Sequence, residues 1–93
     1  MTTTTRTDTR TVQGTGLGRP SQVVLYNDDH HSMEFVVDCL MRVFGHTPDL
    51  AAKIMWEAHR RGRAIAEVED AESARRHCAQ LTGYGLSAEV EEV

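Results

Sequence analysis

The stretch "SQVVLYNDDHHSMEFVVDCLMRVFG", residues 21–45, decides the fold. Its opening run of β-branched and aromatic residues suits a strand, and Asn27-Asp28-Asp29 supplies the turn residues that stop it. From Met33 the apolar residues fall at positions 33, 36, 37, 40, 41 and 44, the spacing of one helical face, and Gly45 ends the run. A strand therefore passes through a very polar turn directly into an amphipathic helix.

Beyond Gly45 the same signals repeat. Thr47-Pro48-Asp49 starts a second helix with a cap, a first-turn proline and an acid at the positive helix end. Leu50, Ala51, Ile54, Met55 and Ala58 line its expected inner face, Arg60 and Arg61 suit its negative end, and Gly62 stops it. Arg63 to Glu69 reads as a strand. Asp70 caps a third helix with Ala74, Cys78 and Leu81 as its apolar stripe and Gly83 as its close, and Leu86 to Glu91 alternates as a half-exposed strand. The order is β-α-α-β-α-β, and the economical packing is one three-stranded antiparallel sheet covered by three helices, an α+β domain.

On the other side of the opening stretch, residues 1–20 contain almost no large apolar side chains and end in Gly-Arg-Pro, the composition of a flexible N-terminal extension. Residues 21–93 form the expected folded domain. A domain of about seventy residues can bury one core but has little room for a deep catalytic cavity, which favours a binding module over an enzyme.

The formal net charge is -4. Arg6, Arg10 and Arg19 against Asp8 give the extension +2, so residues 21–93 carry -6, which disfavours nucleic acid as a partner. Five arginines, Arg60, Arg61, Arg63, Arg75 and Arg76, read as a solvated, ion-paired surface. Cys39 and Cys78 match no metal or CxxC spacing and fall on helical apolar stripes, where a free thiol packs as a small hydrophobe. No apolar leader and no membrane-length run is visible, so a soluble cytoplasmic protein is expected.

The turn itself supports three readings. In the first, Asn27 to Ser32 only links strand to helix, with His31 or Ser32 as cap and Glu34 complementing the dipole. In the second, Asp28, Asp29, His30, His31 and distant His59 hold a metal, although adjacent turn residues rarely converge on one ion. In the third they meet an amine. A protonated amine has three donors and needs three acceptors, which an Asn oxygen, a carboxylate and a neutral imidazole supply, as in Asn27, Asp28 and His59. His59 lies four residues after Met55 on one helical face, while Met33 and Val36 sit on the first turns of the first helix, so an amine rim beside an apolar pocket is geometrically reasonable.

The motifs "NDDHHSMEFV" and "IMWEAHRRGRA", set in this order of elements, closely resemble the ClpS family, adaptors that deliver N-end rule substrates to a Clp AAA+ protease. The resemblance covers about residues 21–93. It implies a protein without enzymatic activity or cofactor that binds the free N-terminus of substrates beginning with Phe, Tyr, Trp or Leu. Asn27, Asp28 and His59 would hold the α-amine. Met33, Val36, Met55, Ala58 and Leu86 would line the side-chain pocket, with Asp29 and His31 at its mouth. Glu72 and His77 match the positions that dock the N-terminal domain of a ClpA- or ClpC-type unfoldase.

This chain departs from the family pattern at three places. His31-Ser32 stands where the family commonly has Thr-Pro, Ala58 where a valine is frequent, and His77 where a lysine is common. The smaller Ala58 implies a wider pocket that favours aromatic first residues over Leu. A small metal-binding or amino-acid-binding regulatory domain is the competing expectation.

Overall fold

The computed structural model describes residues 19–93, so the expected extension lies, apart from its last two residues, outside the described residues. Six elements follow in order: β1 (Pro20–Tyr26), α1 (Met33–Phe44), α2 (Pro48–Arg61), β2 (Arg63–Asp70), α3 (Ala71–Gly83) and β3 (Ala88–Glu92). The sheet order is β2-β1-β3, with both neighbours antiparallel to the central β1. The α+β architecture expected from the sequence is the one observed.

Each helix begins at a side-chain cap. Ser32, Thr47 and Asp70 have extended backbones and accept hydrogen bonds from the N–H groups of Phe35, Leu50 and Ser73, which satisfies otherwise unpaired first-turn donors. Gly45 and Gly62 end α1 and α2 in the left-handed conformation. The third helix differs from expectation. Gly83 stays helical, and the left-handed residue is Gly85, with φ +95°, after the C-cap Tyr84. The Leu86 N–H then returns to the Leu81 carbonyl at 3.1 Å, so Leu86 belongs to the helix exit and β3 starts only at Ala88.

The core is built from Val23 and Leu25 of β1, Ala64 and Ala66 of β2, and one face of each helix, including Leu40, Ile54, Met55, Ala74 and Leu81. Val36, Cys39, Leu40 and Val43 form the buried centre of α1, whereas Val37, Met41 and Phe44 pack at its margin. Leu50 is 42% exposed, a correction to its expected inner position; it lies on the first turn of α2, ahead of the buried arc Ala51, Ile54, Met55 and Ala58. Cys39 and Cys78 are free thiols, and burial pushes both pKa values up.

The opposite side of the sheet carries polar pairs alongside Val24 and the exposed Ile65. Gln22 and Arg63 both donate to Glu91, and Tyr26 donates to Glu89. Of the clustered arginines, Arg63 is thus paired as expected, while Arg60 lies over the Trp56 ring at 5.9 Å. The β1–β2 register shifts between Val23 and Val24, and this bulge leaves Ala66 outside the one-to-one pairing. The freed Ala66 carbonyl accepts from His46 Nε2 at 2.8 Å, so the bulge carries no unmet acceptor there.

Candidate functional site

The site forms where the central strand leaves the sheet. At its C-terminal end the Tyr26 N–H donates to the Ser87 carbonyl and the Asn27 N–H to the Gly62 carbonyl, both at 2.9 Å. The second bond ties the polar turn to the end of α2, three residues beyond His59. Residues far apart in sequence therefore meet for a backbone reason. A cavity at this corner is lined by Leu25, Tyr26, Asn27, Asp28, His31, Met33, Val36, Met55, Ala58 and His59.

Asn27, Asp28 and His59 thus share one cavity with Met33, Val36, Met55 and Ala58, the same grouping that the sequence motifs indicated. Three positions differ. His31 is a wall of the cavity rather than only its mouth, and Asp29 is exposed and outside the lining. Leu86, expected among the lining residues, is buried in the core cluster and is not among the residues lining this cavity. Leu25 and Tyr26 are additions. Strand alternation placed Leu25 on the core face, but nothing in the sequence signalled that this face ends at an open pocket.

Asp28 is the most enclosed charge of the site, its side chain 7% exposed. Its Oδ1 accepts from the His30 N–H and its Oδ2 from His31 Nδ1, each at 2.6 Å. Burial works to raise its pKa, but these hydrogen bonds and the nearby imidazole outweigh it and hold the carboxyl below its ordinary value. Asp28 is an anion at neutral pH. Asn27 uses its amide N–H on Asp29 at 3.5 Å, which leaves the amide oxygen as an acceptor. His59 is exposed and stands edge-on to Trp56, ring centroids 5.7 Å apart.

An anion, an amide oxygen and an imidazole beside an apolar hollow can hold a small cation with an apolar arm. The hollow itself is tight, with a volume of about 30 Å³. That is room for one or two waters in the enclosed part of the hollow. Met33 is 40% exposed and has three rotatable side-chain bonds, which makes it the wall best able to move. Among the described residues no cluster of three or more His, Cys, Asp or Glu is arranged to hold a metal ion. No described helix is long and apolar enough to cross a membrane.

Glu72 and His77 lie apart from this cavity, on α3. Glu72 is exposed in the first turn, while His77 donates from Nδ1 to Glu69 at 2.7 Å and meets Phe44 edge-on at 5.0 Å.

Comparison with known proteins points in one direction. The family model described as ATP-dependent Clp protease adaptor protein ClpS matches residues 18–89. The chloroplastic ATP-dependent Clp protease adapter protein CLPS1 of Arabidopsis thaliana is 45% identical over 73 residues, 77% of this chain and 46% of that protein. The chain therefore spans about half the length of that relative. The ClpS adapter of Nitratidesulfovibrio vulgaris is 42% identical over 81 residues, 81% of each chain. Among solved structures, Agrobacterium tumefaciens ClpS2 bound to L-phenylalaninamide is similar with a TM-score of 0.78 and 29% identity, covering 82% of this chain and 99% of that one.

Proposed function

Since the chain belongs to the ClpS family of ATP-dependent Clp protease adaptors, and is thus an adaptor and not an enzyme, we propose that it binds substrates by a free N-terminal residue with a bulky hydrophobic side chain. Phe, Tyr, Trp and Leu are the residues in question. The bound substrate is handed to a ClpA- or ClpC-type unfoldase, with Glu72 and His77 on α3 as docking residues. The observation that carries the reading is the single cavity in which Asn27, Asp28 and His59 adjoin Met33, Val36, Met55 and Ala58. The solved relative holding an amino-acid amide supports it.

The energetics require both halves of the cavity. Burying one Leu or Phe side chain yields about 1.5–3 kcal/mol, whereas micromolar binding needs about 8 kcal/mol net of association costs. Hydrogen bonds to a charged amine contribute about 1.5–3 kcal/mol each, which brings two or three of them plus the side chain into range. An uncharged or blocked amine leaves the remaining lone pairs of the Asp28 carboxylate without a cationic donor. Recognition is therefore steep at the amine.

The test is fluorescence anisotropy with a labelled peptide beginning with Phe, beside its N-acetylated form and a peptide beginning with Ala. Micromolar or tighter binding of the free Phe peptide alone is expected. Equal binding of the acetylated peptide, or silence of the Phe, Tyr, Trp and Leu peptides together, would overturn the reading.

Met33 acts as gate in this account. Ile and Val branch next to the backbone, so they meet the mouth of the cavity where Leu and Phe do not. Truncation by Met33→Ala is expected to raise affinity for Ile- and Val-peptides about tenfold, the scale of one to two methylenes of packing. Continued exclusion of both by the variant removes the gate from Met33.

A further inference from the structure

His31 is held more firmly than a simple cavity wall needs. Its Nδ1 lies 2.6 Å from Asp28 Oδ2. Its ring stacks on Phe35 with centroids 4.8 Å apart and planes 15° apart, and Phe35 is held edge-on by Tyr84 at 6.3 Å. On another side the chain comes so close at Gly85 that a Cβ there would stand 3.2 Å from both Cε1 and Nε2 of the imidazole. Gly85 also has φ +95°, so glycine meets two requirements at once. A carboxylate only accepts, so the proton of the neutral ring sits on Nδ1, and ring plane, position and tautomer are all fixed.

We propose that His31 is a positioning residue for Asp28: its Nδ1 hydrogen bond, on a ring fixed by Phe35 and Gly85, aims the carboxylate at the substrate's α-ammonium. The inference rests on the amine reading above. A carboxylate offers about four lone-pair sites. The His30 N–H occupies one on Oδ1 and His31 Nδ1 one on Oδ2, with the His31 backbone N–H also directed at the carboxylate, which leaves acceptor capacity for the ligand. A neutral donor orients the group without competing for it. Once protonated, His31 places a full positive charge 2.6 Å from Asp28 and directly opposes the ammonium.

The other titratable groups around this pair are Asp29 and His30 on the turn, Glu34 on the first turn of α1, His59 on α2 across the cavity, and Tyr84 behind Phe35. His59 is a second imidazole on the cavity wall, so a pH dependence of binding does not by itself single out His31. Variants at His31 separate the two. In His31→Asn the amide nitrogen takes the place of Nδ1 and carries no charge at any pH, whereas His31→Ala removes the donor.

The experiment measures affinity for the free Phe peptide by anisotropy from about pH 5.5 to about pH 8, the range over which imidazole titrates. His31→Ala is expected to bind about tenfold more weakly at neutral pH, and His31→Asn within about threefold of the wild type. The Asn variant should also lose less affinity than the wild type toward acid pH, an effect that a packing role does not produce. Thermal melts of both variants show whether a loss comes from unfolding; if the Ala variant unfolds, the acid limb of the Asn variant decides alone. An acid limb in His31→Asn identical to that of the wild type overturns the proposal. Wild-type silence toward the free Phe peptide at every pH removes the amine reading and this role with it, whereas wild-type binding with unchanged variants removes this role alone.

Discussion

Replacing Asp28 with alanine is expected to weaken binding of a free Phe peptide about a hundredfold or more and to erase the difference between the free and N-acetylated forms. The carboxylate is nearly enclosed, and its anionic state is secured by two hydrogen bonds at 2.6 Å from its own turn. A hydrogen bond to a charged partner contributes about 1.5–3 kcal/mol, and the substitution also frees His31 and the His30 N–H from their common acceptor. Asp28→Asn is the informative companion. It keeps an oxygen for the turn while removing the charge, so an affinity near that of the alanine variant assigns the effect to charge, and one near wild type to turn geometry. Full retention of amine selectivity by both variants would exclude Asp28 from the amine site.

The second large effect concerns stability. Leu40 of α1 and Leu81 of α3 are both fully buried in the one core cluster that the described residues form. Leu40→Ala removes the transfer energy of its methyl groups and leaves a hole that neighbours fill only partly, at a cost of about 2–5 kcal/mol. For a domain of this size each kcal/mol lowers the melting temperature by about 4–8 °C, so a drop of 10 °C or more is expected by calorimetry or circular dichroism. The exposed Leu50 is the control. Leu50→Ala should shift the melting temperature by no more than a few degrees, since a substitution away from buried contacts usually changes stability by about 0.5 kcal/mol or less. Equal shifts for the two variants would contradict the packing described for α1 and α2.

The core and the cavity meet at Met55, Ala58 and Val36, which are buried and also line the hollow. If the cavity is the binding site, their substitution is expected to change stability and binding together. Met33 and His59 are exposed, so their effects on binding can be measured with little change in the fold.

Much of this was legible in the order of residues because it depends on short-range rules. Caps at Ser32, Thr47 and Asp70, stops at Gly45 and Gly62, and apolar residues at helical spacing each act within one or two turns of chain. Those signals fix the elements and, with the two motifs, the family. The end of α3 was less legible. Gly83 and Gly85 are both plausible stops locally, and the choice between them depends on Leu86 reaching the core and on the backbone passing close to the His31 ring.

Other features existed only once the chain had folded. Sheet order β2-β1-β3 and the bulge opposite Val23 and Val24 come from pairing between residues 37 or more positions apart. The Asn27 N–H meeting the Gly62 carbonyl sets the polar turn beside His59, and no local pattern encodes that meeting. Periodicity gives a side chain's face but not what lies opposite it. That is why Leu86 moved from the expected pocket to the core, why Leu25 and Tyr26 joined the cavity, and why His31 became the partner of Asp28. The sequence by itself determined the elements and the chemical groups available; the packing of distant segments decided which of those groups face one another, because that depends on long-range contacts and exclusion of water rather than on neighbours along the chain.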